Sequence, residues 1–395
     1  MVGLAAGSNL STGSVLPGLE TRPSLGAGSF PTAIVTGDFN NDGHLDYAIA
    51  NGNDSTIWIY LGNGDGTFQL PRVAPLTKGL NPVNMVAADL RHRGVLDLVV
   101  AEFGTSTIGV LAGNGDGTFG YEQVYELPDS PGALTVNDFN HDGRPDIAAV
   151  MITTVDPSTL GVPYIAMLAG KGDGTFSNPV ITSNWGYYSD VYDVDSADVN
   201  GDGLPDLLIT GPDLDNSTIY LNNGDGTFKE GQIVLRNGFD DAVVGGRLVD
   251  VNGDGCPDAV IADLNTDVWT SLGNCAGSFA APTWVDMGQA NTAVRLADVN
   301  GDGHLDLVAS SAVVEEINYE YTAGNTVSVA LGDGKGNFGL ARLYQGNSEA
   351  MSVAVGDFKG DGRPSIVTPD VDTDTATIYP NDGQGGFGSP QGIYA

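Results

Sequence analysis

The chain has 395 residues, 57 of them glycine, and its 50 acidic against 15 basic side chains give a formal charge of −35. That charge argues against nucleic acid or an anionic membrane surface as partner, since both would be repelled, while 41% hydrophobic content argues against a globally disordered chain. No apolar run reaches the roughly eighteen residues of a membrane helix, so no membrane insertion is expected. The opening residues lack the basic flank and apolar stretch of a signal peptide, which leaves a cytosolic protein or one whose leader has been removed.

In chain order, residues 1–30 come first as an extension. Within it Val15-Leu-Pro-Gly-Leu-Glu-Thr21 is a candidate outer strand against the last repeat, a flexible leader being the alternative. From residue 31 a nonapeptide recurs, Asp-Phe-Asn-Asn-Asp-Gly-His-Leu-Asp at 38–46, with close copies at 138–146, 198–206, 250–258 and 298–306. Two degraded copies, at 89–97 and 357–365, complete seven. About thirty residues after each comes a second motif, first seen as Leu-Gly-Asn-Gly-Asp-Gly-Thr-Phe at 61–68 and ending, in later copies, at Phe119, Phe176, Phe228, Phe279, Phe338 and Phe387. A fixed alternation of two motifs is the signature of a repeat architecture.

Each unit reads as four short strands. A run such as 32–36 precedes the nonapeptide, an apolar run such as 96–101 or 305–309 follows it, a third (56–61) precedes the glycine-rich motif, and a fourth starts at its Phe. The second run is apolar on nearly consecutive residues, which predicts burial on both faces. The Gly-Asp-Gly between the third and fourth supplies positive φ for a tight hairpin. Seven four-stranded units with no helical period predict an all-β, seven-bladed β-propeller of antiparallel blades, bounded near 31–80, 81–130, 131–189, 190–241, 242–290, 291–348 and 349–395.

The nonapeptide has the chemistry of a calcium loop. Calcium takes six to eight oxygen ligands in irregular geometry, and oxygens at positions 1, 3, 5 and 9 with Gly at 6 let a short loop wrap one ion. The side-chain candidates are Asp38, Asn40, Asp42 and Asp46; Asp138, Asn140, Asp142 and Asp146; Asp198, Asn200, Asp202 and Asp206; Asp250, Asn252, Asp254 and Asp258; and Asp298, Asn300, Asp302 and Asp306. The backbone carbonyl of position 7 (His44, Arg144, Leu204, Cys256, His304) is the fifth expected ligand in each. An Asp/Asn/Gly turn without metal is the bland alternative. Magnesium fits less well because it demands stricter octahedral geometry. The degraded copies carry Arg91 and Arg93 at positions 3 and 5, and Lys359 and Ser365 at positions 3 and 9. There a side-chain cation, Arg93 or Lys359, is expected to replace calcium, a merely decayed loop being the alternative. The expectation is therefore about five Ca2+ ions, which would still leave the chain at about −25.

These two motifs in alternation over residues 31–395 resemble the FG-GAP/VCBS repeat family, which includes the seven-bladed propeller at the head of integrin α subunits. The resemblance implies that the calcium loops join strands one and two of each blade on one face. It also implies an adhesion, ligand-binding or carbohydrate-associated module. It says much about fold and little about substrate.

On that frame Cys256, at position 7 of the fifth calcium loop, and Cys275, in the fifth glycine-rich hairpin, lie at the same end of one blade. A disulfide is expected, and with it an oxidising, extracellular or cell-surface setting; two separate thiols are the alternative. Extra length falls at 153–162, 183–193 and 314–322, the latter two mixing aromatic rings with carboxylates and amides. Trp185, Tyr187, Tyr188, Tyr319 and Tyr321 are candidates for stacking on a sugar, or simply pack these loops. All four histidines, His44, His92, His141 and His304, sit in nonapeptide loops, and no catalytic motif appears. Carboxylate chemistry on polysaccharides would fall first to Glu315, Glu316 and Asp190. The sequence thus points to a monomeric, calcium-stabilised, non-catalytic module for a protein or carbohydrate ligand. A carbohydrate-active lyase or hydrolase, and a structural spacer, are the alternatives.

Overall fold

A computed structural model describes residues 25–152, 164–183, 191, 193–211, 216–236, 243–311 and 325–388. These form seven four-stranded antiparallel sheets arranged as the blades of a propeller. Blade one is typical. Its inner strand Pro31–Gly37 pairs with Asp46–Asn51, which pairs with Thr56–Tyr60, which pairs with the outer strand Arg72–Pro75.

The second strand of every blade begins at position 9 of the nonapeptide or its degraded equivalent: Asp46, Asp97, Asp146, Asp206, Asp258, Asp306 and Ser365. Six of these strands, such as Asp46–Asn51 and Asp97–Glu102, are buried at every residue. The consecutive apolar run is explained by that burial: each second strand is sandwiched between two neighbouring blades. The apolar side chains accordingly fall into seven clusters, each shared by two adjacent blades. Burying a Val, Leu, Ile or Phe contributes about 1.5–3 kcal/mol, so the ring gains its stability one interface at a time.

The ring closes between blades seven and one. Blade seven contributes Ala354–Gly356, Ser365–Asp370 and Thr375–Tyr379, and its outer strand is Leu25–Gly26, paired Leu25↔Ala376 and Gly26↔Thr375. The reading of four consecutive strands in each blade therefore fails at the seventh. Among the described residues blade seven takes three strands from the C-terminal end of the chain, and a strand from the other end fills the outer place, which ties the two ends together across the seam. Ala27 N–H donates to Asp374 O at 2.6 Å and the Tyr60 hydroxyl of blade one to Gly26 O, so the segment is tied to both sides of the seam. Residues 15–21 lie outside the described residues.

Candidate metal centre

All seven nonapeptide loops join strand one to strand two, and all share one turn. The first Asp caps the turn through both oxygens. In blade one Asp38 Oδ1 accepts from Asp42 N–H at 3.2 Å and Oδ2 from Gly43 N–H at 2.9 Å. The same pair of bonds recurs at Asp138, Asp198, Asp250 and Asp298, and also in the degraded loops at Asp89 and Asp357. The turn is thus built by local side-chain-to-backbone bonds and does not need the oxygens at positions 3 and 5 to be in place.

Where those oxygens are present they line the same turn. Asn40 Oδ1 accepts from Asp42 N–H at 3.0 Å, and Asp42 Oδ1 accepts from His44 N–H at 2.8 Å. The equivalents in the other four complete loops lie within 2.8–3.0 Å.

Position 9 is different in kind. Asp46 is completely buried; its Oδ2 accepts from Phe39 N–H at 2.8 Å and its Oδ1 from Gly62 N–H, in the blade's own hairpin, at 2.7 Å. Burial pushes the carboxyls of Asp46, Asp146 and Asp206 up to about 6, against these N–H bonds, and the carboxylates at positions 5 and 1 push the same way. Asp258 and Asp306 are raised for the same reasons. In each complete loop the carboxylates at positions 1 and 5 thus add to the burial that disfavours charge on the position-9 carboxyl.

The residues fit a hard divalent cation by donor chemistry. The set is all oxygen, mostly anionic, and carried on one nine-residue turn. Among the described residues, however, no three His, Cys, Asp or Glu side chains are drawn together as an assembled metal cage; the loop oxygens are engaged with backbone N–H groups instead. The residues that would hold an ion are Asp38, Asn40, Asp42 and Asp46 and their four sets of equivalents.

The second blade offers an internal comparison. Arg91, at position 3, donates through Nε to Asp97 Oδ2 at 3.1 Å and through Nη2 to Asp97 Oδ1 and to Gly113 O. A guanidinium thus pairs in fork fashion with the buried position-9 carboxylate. The expectation had fallen on Arg93, whose backbone N–H caps Asp89 and whose side chain makes no ion pair among the described residues. Position 3 points into the loop, and that direction decides. Lys359 does not pair with the loop aspartates either. Its methylenes lie against Gly66 of blade one, and Ser365 Oγ takes the hairpin N–H of Asn381 at 3.4 Å where other blades use Asp.

The loops are also fastened to the next blade. The carbonyl of Phe39 accepts from Gly117 N–H of blade two, Val199 from Gly277 of blade five, and Phe358 from Gly66 of blade one. The rings follow: Phe39 packs edge-on against Phe119, Phe139 against Phe228 and Phe358 against Phe68. A loop that is locked by a cation would therefore stiffen two blades.

A family model described as FG-GAP-like repeat matches residues 38–100, 93–149, 198–261 and 250–309, more than half of the chain. The chain belongs to the FG-GAP-like repeat family. No match was found among curated protein sequences. Among solved structures, this FG-GAP propeller is similar to a putative 6-phosphogluconolactonase from Bacteroides uniformis (12% identity, TM-score 0.63, covering 93% of this chain and 98% of that one). It is also similar to BBS1N from its lead-soaked complex with ARL6DN (14% identity, TM-score 0.55, covering 89% and 93%). At such identities the likeness is one of fold.

In the fifth FG-GAP repeat Cys256 and Cys275 form a disulfide. Cys275 stands where other hairpins have Gly64, Gly115 or Gly172, and like them it takes a positive φ, here 54°. The position-7 side chain lies against that glycine in other blades, His44 beside Gly64 and Arg144 beside Gly172, so the bridge makes a recurring contact covalent. The candidate ligand-surface residues Trp185, Tyr187, Tyr188, Asp190, Glu315, Glu316, Tyr319 and Tyr321 lie outside the described residues. Among the described residues no helix is long and apolar enough to cross a membrane.

Proposed function

We propose that this FG-GAP propeller is a calcium-stabilised, non-catalytic binding module that works outside the cell. In this reading five Ca2+ ions sit in the complete loops of blades one, three, four, five and six, and their role is structural. They would offset the negative charge that the carboxylates at positions 1 and 5 press on the buried position-9 carboxyl, and metal binding would then be linked to folding stability. The observation that carries the reading is the contrast between loops. Where position 3 is Asn the buried position-9 carboxylate has no side-chain cation within ion-pair distance among the described residues, and where it is Arg91 the guanidinium grips Asp97. The disulfide supports an oxidising compartment. A protein or carbohydrate ligand would be met by the loops at the opposite end of the blades, where the long insertions fall.

The test is thermal melting of metal-stripped protein titrated with calcium, with the ions per chain counted in the same sample. The reading expects a large rise in melting temperature with about five ions bound. No shift and no bound ion would leave the loops as turns only and end it.

A further inference from the structure

The inner strands enclose a central cavity of about 370 Å³. Residues three places before each first loop Asp stand at one level of its wall, since each pairs with the third residue of the second strand, as in Val35↔Ala48 and Arg247↔Val260. Four of the seven are small or apolar: Val35, Val86, Thr135 and Ala354. The other three are charged and come from consecutive blades: Asp195, Arg247 and Arg295. Two residues up the strands stand Asp193 in blade four and Asn84 in blade two.

Three of these charged groups are matched. Arg247 Nη1 pairs with Asp193 Oδ2 at 2.5 Å, and a Cβ on Gly245 would stand 3.3 Å from that carboxylate, so the glycine leaves the pair its room. Asp195 Oδ2 accepts from Leu248 N–H at 2.8 Å. Arg295 is not matched. Its Nη1 donates to Val294 O at 2.9 Å, and among the described residues it makes no ion pair, although a guanidinium carries five N–H donors in a planar fork. Burial, reinforced by Arg247, pushes its pKa down to about 9, against the opposing pull of Asp193 and Asp195, neither of which reaches ion-pair distance. In blade two Asn84 Oδ1 is buried with no hydrogen-bond donor. The wall therefore holds an unmatched cation in blade six and an unmatched acceptor in blade two, with apolar side chains between.

We propose that the channel is a binding site for a small polyhydroxylated monocarboxylate of the sugar-acid class. The carboxylate pairs with the Arg295 fork. The hydroxyls face Asn84, Asp195 and Thr135, and Val35 and Val86 meet the C–H surface. The two aspartates offset the two arginines in formal charge, so recognition is by short-range hydrogen bonding, and a dianion such as phosphate brings a second charge that the one unpaired guanidinium does not match. A neutral sugar leaves Arg295 without its partner.

The probes are D-glucuronate, D-glucose and inorganic phosphate, titrated by calorimetry into the full chain with calcium present and again after stripping. The arginine Nε–Hε resonances are followed in parallel. Saturable binding of D-glucuronate is expected, with glucose and phosphate at least about tenfold weaker and one arginine resonance shifting that is missing from the folded Arg295→Met variant. That variant should bind D-glucuronate at least about tenfold more weakly, and Asn84→Ala about threefold to tenfold more weakly. Absence of saturation, unchanged affinity in folded Arg295→Met, or phosphate binding as tightly as D-glucuronate would each overturn the proposal. If Arg295→Met does not fold, wild-type arginine resonances that stay still at saturation overturn it. The calcium melting response is read separately, so failure of one reading is distinguishable from failure of the other.

Discussion

Arg91 holds Asp97 across the second loop, Nε to Oδ2 at 3.1 Å, with the Asp97 side chain 1% exposed. The pair does in blade two what calcium is proposed to do in five others. Arg91→Ala would leave a buried carboxylate without its cation, and urea unfolding should show a loss of about 3 kcal/mol. Arg91→Asn with Arg93→Asp rebuilds the oxygen set of the complete loops. That double variant should bind one more calcium ion per chain than the wild type and, in excess calcium, recover much of the lost stability; an unchanged ion count would refute the equivalence.

A second pair governs pH behaviour. Glu102, at the far end of its buried strand, accepts from the Thr107 hydroxyl at 2.7 Å, while its Oε1 is buried beside Glu122 with no donor. Glu122 accepts N–H groups of Thr77, Lys78 and Gly79. Burial, with Glu122 alongside, pushes Glu102 up to about 9, whereas Glu122 is held below its ordinary value because the hydrogen bond shared with Glu102 and these N–H groups together outweigh its own burial. A proton on Glu102 Oε1 satisfies both. Below the unfolded value, near 4.5, both states hold that proton; from there to about 9 the folded state keeps what the unfolded chain has released, so this group's contribution to stability falls as pH rises. Glu102→Gln cannot ionise and still donates to Glu122. It should match the wild type near pH 5 and be more stable at pH 8 by a few kcal/mol, read from denaturation at both values. Parallel pH profiles would rule out the shared proton.

The disulfide closes a loop between residues 256 and 275, a separation of 19. Chain entropy assigns such a loop about 3 kcal/mol. Cys256→Ser with Cys275→Ser should lower stability by that order, and mildly reduced wild type should match the double variant. If the stability of the double variant equals that of oxidised wild type, the bridge is not a stabilising element.

The seam makes a prediction of its own. Removing residues 1–27 strips the pairing of Leu25 and Gly26, the Ala27 bond to Asp374 and the acceptor of the Tyr60 hydroxyl. Several backbone bonds at about 1 kcal/mol each put the loss near 3 kcal/mol, visible as a lower urea midpoint. Tyr60→Phe in the full chain should lose a smaller part of it.

The sequence by itself determined the repeat number, the four-stranded blade, the loop positions and the meeting of Cys256 with Cys275. Each of these is written locally: a nine-residue turn caps itself through its own first Asp, and a hairpin needs its own glycines. What required the tertiary structure is whatever depends on direction or on closing the ring. Arg91 and Arg93 are equally basic on the page, but only position 3 turns inward to Asp97. The outer strand of blade seven could be assigned only once Thr375–Tyr379 was seen to face the start of the chain. Asn84, Asp193, Asp195, Arg247 and Arg295 are spread over more than two hundred residues and share one wall only because seven twisted sheets bring their inner strands around a common axis.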